Sequence, residues 1–189
     1  MSSKKKLILD GHTSRRRFLQ IGVAATTSLI MPNAFAQLLA EPERQLSLHN
    51  LHTGESITAT YWAEGQYQTS ELDAINHVLR DHRTGDIHTM EHELLDLLNI
   101  LHHKMDGRKA FHVISGYRSA KTNAMLYKTT DGVEKKSLHM QGKAIDIRLP
   151  GRQLDDLRKA ALNLSSGGVG YYPKSDFLHV DTGRVRQWG

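Results

Sequence analysis

Hydrophobic and polar residues alternate with two different periods along this chain, and the changes of period outline its elements. From Arg44 to His52 and from Glu55 to Trp62 the period is two, with Thr53-Gly54 between, which predicts a β-hairpin. The spacing then becomes helical. Ser70 is placed to cap a helix reaching about Arg83, with Leu72, Ile75 and Leu79 on one face. Leu94, Leu97, Leu98 and Leu101 define a second helix from about Glu91 to Lys104, and Gly107 lies just beyond its end. A short strand, Phe111 to Ser115, runs into the turn Gly116-Tyr117-Arg118-Ser119. A modest helix to about Thr130 and a polar loop from Asp131 to Ser137 follow. Lys143 to Leu149 is a strand with Ala144, Asp146 and Arg148 on one side and Ile145, Ile147 and Leu149 on the other. Gln153 to Leu164 is an amphipathic helix, and Gly167 to Tyr172 and Phe177 to Asp181 are two closing strands. Helices first and strands clustered late predict an α+β fold, with helices packed on a small, mostly antiparallel sheet.

The first 36 residues follow a different logic. Lys4, Lys5 and Lys6 precede Ser14-Arg15-Arg16-Arg17-Phe18-Leu19, an apolar stretch from Ile21 to Met31, and Ala34-Phe35-Ala36. A basic region, a short apolar region and small residues at the cleavage positions are the parts of a secretory signal. The apolar run is too short to span a bilayer as a helix. Twin arginines before Phe-Leu resemble a Tat signal, the route for proteins that fold before export. The expected layout is a Tat-type signal at 1–36, a linker at 37–43 and one domain at 44–189. It predicts a periplasmic protein with no stable membrane anchor after cleavage.

This division changes the meaning of the charge. The chain has 25 Lys and Arg against 20 Asp and Glu, but residues 1–36 carry six of the bases and one of the acids, which leaves 19 of each. The basic balance belongs to the signal and is no argument for a nucleic-acid partner. There is no cysteine, which excludes disulfides and cysteine-ligated metal.

The strongest chemistry lies in Ser137-Leu138-His139-Met140-Gln141-Gly142-Lys143-Ala144-Ile145-Asp146 and in Phe177-Leu178-His179-Val180-Asp181. Imidazole nitrogen and carboxylate oxygen are both good zinc ligands. His139 falls on a loop and Asp146 on the strand after it, with Gly142 allowing the turn between them. On the last strand His179 and Asp181 project to one face. Two His and one Asp with one open position make a catalytic zinc site, whereas a fourth protein ligand would close it. His92-Glu93-Leu94-Leu95-Asp96 is close to the zincin helix pattern, but Asp96 stands where the second His belongs. Leu94 and Leu95 read as core, and His88, His92, His102 and His103 as surface or helix-end residues.

Ser-x-His-x-x-Gly-x-Ala-x-Asp with a downstream His on a strand resembles the D-Ala-D-Ala metallopeptidases and the related hedgehog signalling domain. Leu51-His52-Thr53-Gly54-Glu55, Ile114 to Ser119 and Gly167 to Pro173 extend the match over the whole mature part. Behind a Tat signal, the pattern looks like the periplasmic murein endopeptidase type within that clan. The resemblance implies one zinc ion per chain on His139, Asp146 and His179, with peptidoglycan stem peptides as substrate and Arg118 and Ser137 holding them. For the catalytic base, Asp181 and Asp176 are both candidates. Strand alternation favours Asp181, because Asp176 falls in the turn before the strand. The clan's common His-x-His form is absent, since position 177 is Phe. The expected function is hydrolysis of peptide cross-links in the cell wall. A D-Ala-D-Ala carboxypeptidase and a non-catalytic zinc-containing peptidoglycan-binding module are the alternatives.

Overall fold

A computed structural model describes residues 41–130 and 132–189. The signal segment, most of the linker and Asp131 lie outside the described residues. Eight strands form one sheet: β1 (Glu43–Asn50), β2 (Ser56–Ala63), β3 (Gln66–Tyr67), β4 (Phe111–Ser115), β5 (Ala144–Arg148), β6 (Gly168–Tyr172), β7 (Phe177–Asp181) and β8 (Arg186–Trp188). Their order is β3-β2-β1-β4-β5-β7-β6-β8. Four helices are described: α1 (Thr69–Val78), α2 (His92–Lys104), α3 (Ala120–Thr129) and α4 (Leu154–Leu164).

The α+β expectation holds, and the sheet is mixed. Pairings β1–β4 and β6–β8 are parallel, and the other five are antiparallel. The sheet is also larger than expected, because β3 and β8 are too short to carry a readable alternation and exist through their pairing. β1 begins at Glu43, the last residue assigned to the linker.

Alternation decides which face is core. Leu46 and Leu48, Phe111 and Val113, Ile145 and Ile147, and Leu178 and Val180 are all buried on one face. Leu94, Leu98 and Leu101 of α2 and Leu157 and Ala161 of α4 complete that core. Ala144, Asp146 and His179 point the other way, into the region held by the loops. None of the described helices is long and apolar enough to cross a membrane.

Helix α1 departs from its expected bounds for a reason that matters to the site. Gln68, not Ser70, is the N-cap residue, and the helix stops at Val78, short of Arg83. At Leu79 the backbone leaves helical geometry, and the Leu79 carbonyl accepts the amide of Tyr117 at 2.8 Å. A β-carbon on Gly116 would lie 2.5 Å from that carbonyl, so only glycine lets the 116–119 turn approach so closely. Buried Asp81 accepts the amide of Ser119 at 2.9 Å, and the Ser119 hydroxyl caps α3 by accepting the amide of Thr122 at 3.2 Å. The turn that carries Arg118 is thereby tied to α1 and α3.

Candidate metal centre

His139 lies in a 3-10 turn, Leu138–Gln141, capped by Ser137, whose hydroxyl accepts the His139 amide at 3.4 Å. Gly142 ends the turn at φ 67, and a β-carbon there would run into the Thr89 carbonyl. Both constraints select glycine. The next strand delivers Asp146, which pairs directly with His179 across β5 and β7. Loop and sheet thus bring three expected ligands together, and their ligand atoms lie within 4.8 Å of one another. His139 Nε2 is 3.2 Å from His179 Nδ1 and 3.3 Å from Asp146 Oδ1, and His179 Nδ1 is 2.9 Å from Asp146 Oδ1.

The outer hydrogen bonds settle which ring nitrogens face inward. The Gly116 carbonyl only accepts, so His139 donates to it from Nδ1 at 2.8 Å and turns a lone pair at Nε2 towards the centre. Asp181 is a carboxylate, so His179 donates to its Oδ2 from Nε2 at 3.0 Å and leaves Nδ1 for the centre. Three acceptor atoms then face one point, an arrangement that requires a cation. In metal-free protein the available cation is a proton. Burial opposes charge on His179, but the hydrogen bonds and charges of Asp146 and Asp181 outweigh it and raise its pKa to about 9. Burial pushes His139 below the ordinary imidazole value. Burial also opposes ionisation of Asp146, yet His139 and His179 hold that carboxyl below the usual range. The donor set fits a divalent ion such as zinc.

Around the triad lies a cleft of about 370 Å³, lined by Arg118, Ser137, His139, Asp146, His179 and Trp188 among others. Arg118 donates from Nη2 to Ser115 Oγ at 3.2 Å and to Asp146 Oδ2 at 3.3 Å, while its buried Nε has no partner. The expected substrate residues therefore lie beside the expected ligands.

The two acids expected to serve as base are placed differently. Asp181 is on the His179 side of β7, as alternation requires, but it sits behind the ring and is fully buried. Its oxygens accept from Gly168 and Gly183 amides at 2.9 and 2.8 Å, from Arg186 Nη1 and Nη2, and from His179. Burial would raise its pKa, but these partners hold it below the usual range. Asp176 follows the 3-10 turn Pro173–Ser175 in a left-handed conformation and accepts from Arg148 Nη1 at 2.8 Å. It lines a separate cavity with His112 and Arg148. Neither acid lines the cleft.

Sequence reasoning missed Arg186, Trp188 and the carbonyl of Gly116. The only advance signal for the first two was the run Gly167-Gly168-Val169-Gly170, where strand-forming side chains are missing without a turn to explain it.

An α+β sheet that sets two imidazoles and a carboxylate in the floor of a cleft has the donor set and the open approach of a metal-dependent hydrolase. The comparisons narrow it: the chain belongs to the family described as peptidoglycan L,D-endopeptidase MepK, whose model matches residues 39–188. It is similar to the peptidoglycan L,D-endopeptidase MepK of Escherichia coli, at 44% identity over 176 residues, covering 93% of this chain and 97% of that protein. It is also similar to the probable peptidoglycan L,D-endopeptidase MepK of Haemophilus influenzae, at 38% identity over 177 residues, covering 93% and 95%. The resemblance read from the motifs is thereby borne out.

Proposed function

We propose that this protein is a zinc-dependent peptidoglycan endopeptidase that hydrolyses peptide cross-links, exported to the periplasm by the Tat route with cleavage after Ala36. The observation that carries the reading is the convergence of His139, Asp146 and His179 at the floor of an open cleft. Two relatives named as L,D-endopeptidases, matched over nearly their full length, favour cross-link cleavage over removal of a terminal residue.

His139, Asp146 and His179 would hold the metal, which supplies Lewis acidity for polarising an amide carbonyl and acidifying water. The chain's own residues do the rest. Gly116 and Asp181 orient the two imidazoles through their outer nitrogens. Arg118 orients Asp146 and presents its fork to the cleft, where a carboxylate or carbonyl of a stem peptide is its natural partner. Ser137 fixes the turn under His139 and lines the same cleft. The geometry supports a positioning role for Asp181, since both its oxygens are occupied behind the His179 ring.

The test is incubation of purified mature protein with cross-linked muropeptides, with and without a chelator. Conversion of dimers to monomers that the chelator stops is the expected result. Loss of a terminal alanine with dimers intact would assign the carboxypeptidase alternative, and no turnover at all the binding module.

A further inference from the structure

Two rows of residues cross the sheet at the site. The first runs Ser115, Asp146, His179, Gly170, Trp188 through β4, β5, β7, β6 and β8, each paired with the next. In the second, Ala144 pairs with Asp181 and Gly168 with Arg186, and the Gly168 amide donates to Asp181 Oδ1 at 2.9 Å. In both rows the β6 residue is glycine, standing between a residue at the site and a large side chain on the edge strand.

The edge strand uses that gap. Arg186 crosses Gly168 and grips Asp181, with Nη2 to Oδ2 at 2.7 Å and Nη1 to Oδ1 at 3.0 Å. Trp188 crosses Gly170 and sets its ring centre 5.2 Å from that of His179. Its Nε1 donates to the Tyr172 hydroxyl at 2.9 Å, which fixes the indole in its plane. The Arg186 guanidinium lies 4.9 Å from the Trp188 ring centre, so each arm braces the other. A β-carbon on Gly168 would overlap the Arg186 and Asp181 head groups, and one on Gly170 would lie 2.6 Å from the indole. The glycines keep a lane clear, and a side chain at either position would displace the arm that crosses it.

We propose that the C-terminal edge strand β8 is a clamp for His179: Arg186 and Trp188 are positioning residues that reach across the lane of Gly168 and Gly170 and fix the His179 ring, the first through Asp181 and the second by direct packing. The proposal rests on reading His179 as a metal ligand. It explains why the short edge strand carries a half-buried tryptophan at position 188 and why β6 gives up two side chains. A ring held at its far nitrogen alone still pivots about that hydrogen bond, and the indole alongside removes this freedom.

The test uses the full mature protein and two readouts. Zinc affinity is measured by competition with a chromophoric chelator, and the imidazole nitrogens of metal-free protein are followed by 15N NMR. Trp188→Ala, Arg186→Ala and Gly170→Ala should each weaken zinc binding about 10- to 100-fold, the usual effect of losing support behind a ligand. Trp188→Phe, which keeps a ring in the lane, should retain most of the affinity. In metal-free protein His179 should show sharp Nδ1–H and Nε2–H signals, held by Asp146 and Asp181, that broaden in the Ala variants. A purely structural role would lower the melting temperature and leave affinity and spectra alone, and that result overturns the clamp. Should Gly170→Ala fail to fold, the Arg186 and Trp188 variants still decide. Should the unmodified protein bind no zinc, the ligand reading falls separately, and the His179 spectra alone decide the clamp, unchanged spectra overturning it.

Discussion

Asp96 on α2 and Asp146 on β5 are both acids set among polar side chains on one sheet, and their neighbours differ in kind. Asp96 receives Arg44 Nη1 at 3.1 Å to each oxygen, the Tyr61 hydroxyl at 2.9 Å and the Tyr67 hydroxyl at 3.3 Å. Every partner brings a hydrogen, and Trp62 lies under the Arg44 guanidinium at 4.5 Å. Asp146 also takes a donor, Arg118, on Oδ2, but its Oδ1 faces two imidazole nitrogens. Donors around a carboxylate close a structural knot, whereas acceptors facing a carboxylate need a cation between them. The zincin-like run at His92 to Asp96 therefore has a structural explanation, because its last acid serves Arg44 and two tyrosines.

Removing His139 from the centre should break the comparison most completely. His139→Ala is expected to reduce muropeptide cleavage to the level of chelator-treated protein while far-UV circular dichroism stays that of the parent. Cleavage at the parental rate would end the reading of the centre. Asp96→Ala should show the reverse pattern. It strands the Arg44 side chain, which is 6% exposed, and should cost about 3 kcal/mol, or roughly 6–12 °C in melting temperature. Zinc affinity should stay within about twofold, and a large loss of metal would mean that the two acids are not separate systems.

Asp181→Asn sharpens the division between holding and reacting. Acting behind His179, it should weaken zinc about 10- to 100-fold. Full zinc affinity with a rate lowered ~10²–10⁴-fold would instead give Asp181 the base role. The metal-free centre should also respond to pH. His179 has its pKa raised from 6.5 to about 9, so its protonated form adds stability that is fully present below about pH 6.5 and is lost as pH rises through about 9. Denaturant titrations of chelated protein at pH 6 and pH 9.5 measure this. Zinc binding should strengthen over the same interval, because fewer protons remain to be displaced. A flat response would mean that no proton occupies the centre. The smallest effect belongs to Asp176→Asn, whose partner Arg148 is partly exposed. Cleavage within about twofold of the parent is expected for so exposed a pair, and a large loss would return Asp176 to consideration as the base.

Much of this was legible along the chain because it depends on short-range rules. Period two on β1, β2 and β5 and helical spacing on α2 and α4 follow from which side chains must be buried, and they survive with ends shifted by one or two residues. His139, Gly142 and Asp146 are close in sequence, and the turn that joins them is local, so their grouping could be read directly. His179 was reachable because it recurs on an alternating strand. The expectation for Asp181 shows where that logic stops. Alternation says which face a residue shares, and it does not say whether the residue lies in front of or behind its neighbour's ring.

What the sequence by itself determined was the set of elements that carry His139, Asp146 and His179, since hydrophobic period, glycine turns and the chemistry of His and Asp are properties of nearby residues. Only the tertiary structure decided the inward nitrogen of each imidazole, the enclosure of Asp96 and the crossing of Arg186 and Trp188 over the glycine lane. Each of these depends on a partner at a distance along the chain. Gly116 lies 23 residues from His139, Arg44 lies 52 from Asp96, and Tyr172 lies 16 from Trp188. The physical reason is that a hydrogen bond or a packed ring is chosen by what the folded sheet brings alongside, and strand order is not written in any one strand.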